Sequence, residues 1–403
     1  MSNKPRHARV LYLWEWGAGF GHLRRFLPLA LRLLHLGYEV ALVVKDPSRA
    51  EEVFRGLDVS IWQTPDCTSP PAQRCKDPHS FGGLAWNLSV NDGRRVSSTV
   101  AQWKHLLLSV KPTHVISDFG LLGSFVAAAL QIPTSRIGTG FGMPPHSDVL
   151  ASMFDVPVGL TEQNLAQRVL ELVQSSAVEN GLPAPLDWNH LFATTGPSLL
   201  VSVPDFDPYR RWRAGESYLG VWDSYAAGEP HWKDAAGAKV IAYLKPTAKL
   251  EQQCRKLADL GLNVLLVCDG QSTGSHALEN AERIALSKNL VSLERGREDC
   301  SLIVCNANHG MTLKSLEMGI PVAMFPLFIE QRLNANAVER LGLGIDMSRH
   351  SESSWQQRIE LLLNSAENSQ RSGDYAEYLQ QMNASSLTNA AAILQNWIEA
   401  TCR

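Results

Sequence analysis

The sequence contains no apolar run that approaches the roughly 18 residues needed for a transmembrane helix. Its first residues, MSNKPRHARVLYLWEWG (1–17), are polar and then immediately strand-like. They therefore lack the apolar core and the small-residue cleavage site of a secretory signal peptide. From these absences we expect a cytoplasmic protein with no stable membrane insertion.

A surplus of positive charge is also missing. The 403 residues include 37 Lys and Arg against 40 Asp and Glu, which gives a formal net charge of −3. Proteins whose main ligand is nucleic acid need extra Lys and Arg to neutralise phosphates, so we expect no nucleic-acid partner. One basic cluster, YRRWR at 209–213, interleaves aromatic and arginine side chains. Such a cluster is typical of a solvated hinge or, alternatively, of a site that takes up a phosphate-bearing or membrane-surface substrate.

The seven cysteines are scattered, odd in number and without CxxC spacing. They are typical of reduced thiols and predict neither a disulfide framework nor a zinc site. Apolar residues make up 45% of the chain and charged residues 19%, a balance typical of globular proteins. Because the chain is long for one hydrophobic core, we expect two domains.

Short apolar runs alternate with helical patterns twice along the chain. The first series of predicted strands comprises 8–14, 39–45, 58–63, 114–119, 135–140 and 198–203, and the second comprises 238–245, 263–269, 289–294, 301–306 and 321–326. Continuous apolar runs of this kind are typical of buried parallel strands with helices on both faces of the sheet. The predicted fold class is α/β, with two Rossmann-like domains that face each other across a cleft at the carboxyl ends of their strands.

Composition shifts place the domain boundaries. The predicted N-terminal domain covers 1–205, a turn-rich linker covers 206–235, and the predicted C-terminal domain covers 236–373. The remaining residues, 374–403, are predicted to form a helix that packs back on the N-terminal domain.

The segment WEWGAGFGH (14–22) follows the first predicted strand with three alternate glycines and a histidine. Its glycines resemble the dinucleotide-binding G-x-G-x-x-G turn, with Asp46 as the acidic residue after the second strand, but the third glycine comes one residue early. A second interpretation is a sharply turning loop that presents His22 at a helix start as a general base. A capping or packing role for His22 is the third.

Asp118 ends the fourth predicted strand. A carboxylate at the end of a buried strand is costly unless it is paired. Since the fourth strand of such a sheet lies beside the first, an Asp118–His22 pair is one expectation, in which the carboxylate holds one imidazole nitrogen and leaves the other free to take a proton. The alternative is that Asp118 caps the helix that follows it.

The stretch 305–344, CNANHGMTLKSLEMGIPVAMFPLFIEQRLNANAVERLGLG, carries the most specific spacing in the chain. A helix is predicted to begin near Gly310 directly after a strand, which makes its N-terminus an anion site fit for a diphosphate. Glu330 and Gln331 stand at the start of the next helix, where a carboxylate and an amide can grip sugar hydroxyls.

Three segments together resemble a known family: GFGHLRRFLPLA (19–30), ISDFGLLGSFVAAALQIP (116–133) and the stretch 305–344. The chain resembles glycosyltransferases of the two-domain GT-B fold, in the family of UDP-glucuronosyl- and UDP-glucosyltransferases and their bacterial macrolide and natural-product relatives. The resemblance implies that His22 is the general base for an acceptor hydroxyl and that Asp118 supports it.

The same resemblance implies a set of donor-binding residues. The acidic residue and glutamine of the family motif map to Glu330 and Gln331 and would hold the donor sugar, with Asn334 following. Lys245, after the first strand of the second domain, would supply positive charge near the diphosphate and make a divalent metal unnecessary. The full set assigned to the donor is Gly21, Lys245, Asn306, His309, Gly310, Thr312, Glu317, Glu330 and Gln331.

The sequence also departs from the family. Asn306 stands where a histidine usually contacts the α-phosphate, and His309 is a nearby substitute. Lys314 replaces the glutamate that accepts from the nucleotide ribose, and an ammonium has donors only. Either Glu317 takes over, or the donor lacks a 2′-hydroxyl, as a dTDP-sugar does, or the donor site is weakened.

The combined prediction is an inverting, metal-independent glycosyltransferase that moves a sugar from a UDP- or dTDP-sugar to a hydroxyl of a small-molecule, lipid or saccharide acceptor. No cofactor or metal is expected beyond the nucleotide-sugar co-substrate. The loop 64–80 and the segment 138–148 are predicted to wall the acceptor pocket. A catalytically weakened sugar-nucleotide-binding protein and an NAD-dependent oxidoreductase are the alternatives, and a homodimer is left open.

Overall fold

The apolar segments of the first half of the chain form one parallel sheet in the computed structural model, which describes residues 8–17, 19–66, 70–147, 149–192, 194–222, 228–268 and 278–402. Its strands are β1 (Arg9–Trp14), β2 (Glu39–Val44), β3 (Val59–Gln63), β4 (His114–Asp118), β5 (Thr134–Gly138) and β6 (Ser198–Leu200). They are ordered β3-β2-β1-β4-β5-β6, and each neighbouring pair is parallel. The order reverses between β1 and β4, so this is the point where such a sheet binds its ligand.

A second parallel sheet repeats this arrangement. Its strands are β7 (Lys239–Tyr243), β8 (Asn263–Val267), β9 (Ile284–Ser287), β10 (Cys300–Cys305), β11 (Val322–Met324) and β12 (Gly344–Asp346). They are ordered β12-β11-β10-β7-β8-β9, so the reversal lies between β7 and β10. The predicted α/β fold class is therefore confirmed.

Helices connect the strands of both sheets. The α-helices within the described residues are α1 (Gly21–His35), α2 (Pro47–Val53), α3 (Phe81–Leu88), α4 (Gly93–Val110), α5 (Leu122–Ala129), α6 (Leu160–Glu179), α7 (Trp188–Leu191), α8 (Leu250–Asp259), α9 (Leu293–Gly296), α10 (His309–Glu317), α11 (Ile329–Leu341), α12 (Trp355–Asn364), α13 (Ala366–Asn383) and α14 (Ser386–Thr401). Single 3₁₀ turns lie at Pro204–Phe206, Arg210–Trp212, Met347–Arg349 and Glu352–Ser354.

One predicted strand is wrong and two real strands were missed. The segment 289–294 is not a strand, because the Ser292 hydroxyl accepts from the Arg295 N–H and starts α9 there. The third strand of that sheet in chain order is β9, whose four residues, IALS, include a single β-branched residue. The predicted run 289–294 lies just after it in the chain. Strand β12 has only three residues at a sheet edge, too few to give a periodic signal.

By packing, the chain divides into two units. The first contains the described residues up to 222 together with 385–402, and the second contains the residues from 228 to 384. The segment 374–403, predicted to be a single helix, contains parts of two helices, α13 and α14. Of these, α13 belongs to the second unit and α14 packs in the first. Each unit has its own apolar core around its sheet.

The first part of the predicted linker 206–235 also differs from expectation. Residues 206–222 pack into the first unit, since Tyr209 is fully buried and Arg213 forms a buried ion pair with Asp207 at 2.7 Å. The solvated-hinge interpretation of 209–213 therefore fits only Arg210 and Arg211, whose side chains are exposed. Residues 223–227 of the predicted linker lie outside the described residues.

Candidate active site

His22 lies at the point where the strand order of the first sheet reverses. β1 ends at Trp14, the loop turns, and α1 begins at Gly21, which makes His22 the second residue of the helix. The imidazole stacks on the Trp14 ring at a centroid distance of 4.6 Å, with Phe119 beyond at 6.2 Å. About a quarter of the side chain, 26%, is exposed, so a ligand can reach it.

The parallel register brings Asp118 to His22. Trp14 pairs with Asp118 across β1 and β4, and the next residues of both strands enter neighbouring loops. His22 Nδ1 lies 2.9 Å from Asp118 Oδ2, and the Tyr12 hydroxyl donates to the same oxygen at 2.7 Å. The expected contact is therefore present, while the catalytic role of the pair stays a prediction.

Arg25 is a third member of this cluster that the sequence analysis missed. Its Nη2 lies 3.0 Å from His22 Nδ1 and 3.6 Å from Asp118 Oδ2. Burial alone would raise the pKa of Asp118, but Arg25, His22 and the Tyr12 hydroxyl outweigh burial and hold that pKa below its ordinary value. The signal available in the sequence was the i, i+3 spacing of His22 and Arg25, which places both on one helical face.

Tyr12 is a fixed donor to the cluster. Burial, followed by the negative charge of Asp118, holds the pKa of Tyr12 well above its ordinary value. Its ring also stacks on Phe26 at 4.0 Å. The phenol therefore remains protonated and keeps one lone pair of Asp118 satisfied.

Glu15, from the opening loop, takes the capping role that was weighed for Asp118. Its buried carboxylate accepts from the N–H groups of Leu121 and Gly123 at 2.9 and 3.1 Å, at the start of α5. Asp46, the acidic residue of the dinucleotide interpretation, caps α2 instead, by accepting from the Arg49 N–H. Both carboxylates thus have local structural partners.

The glycines of the loop have separate roles. Gly17 has a φ of +112°, and a Cβ there would lie 2.9 Å from the Trp14 ring, so a side chain is excluded. At Gly19 and Gly21 a Cβ would meet nothing within 4 Å. These two positions leave open space in front of the helix that carries His22.

In the second unit, α10 begins after β10 and a three-residue turn, 306–308, in which Ala307 is left-handed. Ala307 has a φ of +59°, and the first hydrogen bond of the helix runs from the Thr312 N–H to the Asn308 carbonyl at 2.9 Å. The N–H groups of His309 and Gly310 precede that bond and form the positive end of the helix. Gly310 is exposed and a Cβ there would meet nothing within 4 Å.

Three amide side chains hold this loop. Asn306 is buried, donates to the Phe325 carbonyl at 2.8 Å and accepts from the Lys245 N–H at 2.7 Å. Gln331 accepts from the Leu327 N–H at 2.7 Å and donates to the Asn308 side chain at 2.6 Å. These bonds join the carboxyl ends of β7, β10 and β11, so the side chains of Asn306 and Gln331 already bind the protein's own polar groups, and their role in donor binding stays a prediction.

The third amide is Asn334, which donates to the Ala307 carbonyl at 2.9 Å. Glu330 is the second residue of α11 and is partly buried. The Lys245 ammonium lies 4.9 Å from the ring centre of the exposed Phe328. The Lys245 side chain is therefore at the same end of the sheet as the start of α10.

The remaining donor-set residues lie away from the start of α10. Thr312 is fully buried, with its hydroxyl 3.9 Å from Cys305 Sγ, so its side chain packs in the interior and its assignment to the donor stays a prediction. Glu317 is the last residue of α10, and its carboxylate accepts from Lys314 at 3.0 Å and from Asn383 at 2.9 Å. Lys314 also contacts Glu294 at 2.6 Å. Lys314, which departs from the family pattern, thus lies between the carboxylates of Glu317 and Glu294.

A cavity of about 260 Å³ opens in the first unit. Its lining combines apolar and aromatic side chains with polar ones, and comprises Phe81, Pro144, Pro145, Ser147, Val149, Leu150, Ala151, Asp187, Trp188, Asn189 and Phe192. Phe119 contacts both Phe81 of this lining and His22, at centroid distances of 6.2 Å. Pro144, Pro145 and Ser147 of the segment 138–148 line this cavity, and no described residue of 64–80 does. That these two segments wall the acceptor pocket stays a prediction; Cys67, Thr68, Ser69 and Asp148 lie outside the described residues.

The described residues form neither a metal centre nor a membrane-spanning helix. No group of three or more His, Cys, Asp or Glu side chains comes together there in a way that could hold a metal ion. The sequence does contain one Asp-x-Asp, Asp205-Phe206-Asp207, but Asp207 is buried against Arg213 and accepts from the Tyr218 hydroxyl at 2.9 Å. In the same part of the chain no helix is long and apolar enough to cross a membrane.

Curated relatives are similar to the chain at low identity, and no known family profile matches it. A PGL/p-HBAD biosynthesis glycosyltransferase of Mycobacterium tuberculosis is 24% identical over 353 residues, which cover 79% of this chain and 81% of the relative. A PGL/p-HBAD biosynthesis rhamnosyltransferase of Mycobacterium bovis is 26% identical over 262 residues, 60% of this chain and 57% of the relative. An uncharacterized glycosyltransferase of Methanosarcina acetivorans is 24% identical and covers 84% of this chain and 83% of its own.

Solved structures match nearly the whole chain. The calicheamicin glycosyltransferase CalG4 superposes with a TM-score of 0.72 at 16% identity and covers 98% of this chain and 99% of its own. The spinosyn rhamnosyltransferase SpnG superposes with a TM-score of 0.63 at 16% identity and covers 95% and 100%. SpnG has also been solved with thymidine diphosphate and with the spinosyn aglycone. At these identities the likeness establishes the arrangement of strands and helices.

Proposed function

We propose that this chain, a glycosyltransferase with the GT-B fold, uses His22 as the general base that activates an acceptor hydroxyl. The observation that carries the proposal is the 2.9 Å contact between His22 Nδ1 and Asp118 at the ligand-binding point of the first sheet. The sugar comes from a nucleotide diphosphate, and its anomeric carbon is inverted in the transfer.

The proton path follows from the tautomer of the imidazole. When Nδ1 donates to Asp118, Nε2 carries no hydrogen and can accept one. The acceptor O–H gives its proton to Nε2 as its oxygen bonds to the anomeric carbon. The bond from that carbon to the diphosphate oxygen breaks, and its electron pair leaves with the nucleotide. Attack and departure on opposite faces invert the configuration.

The second unit has the features needed to hold the leaving diphosphate. The positive start of α10 at the buried His309 and the exposed Gly310 provides N–H donors, and Lys245 provides a full positive charge at the same sheet edge. We propose that these groups supply the counter-charge without a metal. The thymidine diphosphate complex of SpnG supports a UDP- or dTDP-linked donor.

The aromatic cavity of the first unit is the proposed acceptor site. Its lining of Phe81, Trp188 and Phe192 suits an apolar or aromatic molecule that carries one reactive hydroxyl. Phe119 links this cavity to His22, and the aglycone complex of SpnG supports a small-molecule acceptor.

One observation favours a second candidate, a sugar-nucleotide-binding protein with weakened catalysis. Lys314 replaces the family's carboxylate, and the nearby Glu317 already binds Lys314 and Asn383. A donor site without a carboxylate for the ribose would bind nucleotide less tightly. Turnover of a nucleotide sugar at a rate ordinary for enzymes, about 1 s⁻¹ or more, excludes this candidate.

The test is a transfer assay with UDP- and dTDP-sugars and a panel of phenols and aglycones. We expect His22→Ala to lower transfer by about 100-fold or more, since positioned general bases contribute about that factor or greater, while nucleotide affinity stays unchanged. His35→Ala, at the exposed far end of the same helix, is the matched control and should keep full activity. Full transfer by His22→Ala would refute the proposal.

A further inference from the structure

Arg25 is a buried cation whose polar contacts are with the His22–Asp118 pair. Its side chain is 11% exposed, and Nη2 points to both His22 Nδ1 and Asp118 Oδ2. The other two guanidinium nitrogens, Nε and Nη1, are buried and have no hydrogen-bond partner among the described residues. Burying a guanidinium is costly unless charge is matched, so the arrangement needs an explanation.

The charges around the pair can be counted from each element that packs there. β4 contributes the Asp118 carboxylate, β1 contributes the neutral Tyr12 phenol, and α1 contributes Arg25 and the His22 ring. The flanking rings of Trp14 and Phe119 are uncharged. The nearest further carboxylate of the opening loop, Glu15, is turned to the backbone of Leu121 and Gly123.

The Asp118 carboxylate is only 2% exposed, and a buried anion is stable only when a positive charge lies close to it. Without Arg25 the nearest group able to supply it is the His22 ring, which would bind a proton and form an ion pair with Asp118. A protonated imidazole cannot accept a proton from a substrate hydroxyl.

We propose that Arg25 supplies the counter-charge for Asp118 and thereby keeps His22 unprotonated and available as a base. Arg25 is in this role a positioning residue that acts through Asp118. The inference rests on the proposed function of His22, and it adds a third residue to the acid–base group.

Asp118 and Arg25 both contact the same ring nitrogen of His22, Nδ1. Guanidinium N–H groups only donate and an ionised carboxylate only accepts. His22 Nδ1, at 2.9 Å from Asp118 and 3.0 Å from Arg25, is therefore drawn towards carrying a proton by one partner and away from it by the other. Asp118 favours a second proton on the ring, and Arg25 opposes it.

The experiment measures the pH dependence of transfer and the titration of the His22 ring by ¹⁵N NMR in full-length protein. In Arg25→Met we expect the acidic limb of the rate profile, and the ring titration, to move up by about one pH unit or more, because a unit charge at 3–4 Å has been removed. The rate should return towards wild type at high pH. Arg25→Lys, which keeps the charge, should titrate close to wild type.

Arg24→Met is the matched control. It removes the same charge from the neighbouring residue, whose guanidinium stacks on the Phe20 ring at 4.6 Å, and should leave the profile in place. If Arg25→Met does not fold, the double variant Arg25→Met/Asp118→Asn removes both charges together. Its ring should titrate close to that of wild type.

Two results would overturn the proposal: a His22 titration in Arg25→Met that coincides with wild type, or a rate lowered by the same factor at every pH. The second result would mean that Arg25 has a purely structural role. The NMR titration does not depend on the reaction, so it can fail while His22→Ala is inactive. Equally, a fully active His22→Ala would refute the base assignment while the titration stands.

Discussion

Single residues in the second unit show how backbone conformation decides which side chain is tolerated. Ala307 adopts a φ of +59° between β10 and α10. Left-handed backbone costs an L-residue roughly 1–2 kcal/mol. Asn334 donates to the Ala307 carbonyl, and Asn308 is the residue between Ala307 and α10. These two residues hold the turn so that α10 starts at the sheet edge.

We therefore predict that Ala307→Gly changes the free energy of unfolding by less than about 0.5 kcal/mol, because relief of the left-handed strain offsets the lost methyl group and the greater freedom of glycine in the unfolded chain. Ala337→Gly is the matched control, since Ala337 is equally buried but helical, and it should cost about 1 kcal/mol or more. Denaturant unfolding measures both. Equal destabilisation by the two variants would contradict the strain argument.

Among the elements, α14 is the one whose position local sequence least explains. It leaves the second unit after α13 and inserts Leu394, Trp397 and Ile398 into the core of the first. At its end, the Thr401 hydroxyl lies 2.8 Å from Nε2 of the buried His114, whose Nδ1 lies 2.9 Å from Thr113. Burial lowers the pKa of His114 to about 4.

This arrangement predicts a pH dependence of stability. Because the pKa of His114 is about 4 in the folded chain and near its ordinary 6.5 when unfolded, the unfolded state binds more protons between these values. The free energy of unfolding should therefore fall as the pH is lowered from about 6.5 to about 4. We expect α14 to be the first element released.

Thermal unfolding followed across this pH range measures the effect. His114→Gln removes the titrating group and should flatten this part of the curve, whereas His35→Gln, at an exposed site, should leave it unchanged. The same slope in His114→Gln and wild type would show that another group is responsible.

For the whole molecule, two units with separate cores hold separate sets of candidate site residues. The first unit holds His22, Asp118 and the aromatic cavity, and the second holds the start of α10 with Lys245. His22 and Asp118 lie where the strand order of the first sheet reverses, and Lys245 and the start of α10 follow the two strands between which the order of the second sheet reverses, the place where open α/β sheets bind their ligands.

Ligands should therefore protect different parts of the chain from hydrogen exchange. UDP or dTDP at about 100 times its Kd stabilises the bound region by up to about 2.7 kcal/mol, and we expect slower exchange of the amides of 306–312. An acceptor analogue should instead protect 144–151. Protection of 14–25 by nucleotide alone, without change at 306–312, would contradict the assignment of the donor to the second unit.

Much of the architecture and part of the site followed from the sequence. Apolar runs identified ten of the twelve strands, and the rule that functional side chains follow strands selected His22 and Asp118. Asn306, Gln331 and Thr312 could not be judged in this way. An amide or hydroxyl can serve the protein's own backbone, its core or a ligand, and only the three-dimensional surroundings distinguish these uses.

The sequence by itself determined the two α/β units and the histidine at the start of α1, because the periodicity of apolar residues and the position of glycines act over a few residues. Tertiary structure decided the partners: Glu15 caps α5, Arg25 contacts Asp118, and α13 stays in the second unit while α14 packs in the first. These outcomes depend on charges and surfaces that meet only after folding, and interactions between residues far apart in the chain leave no local pattern.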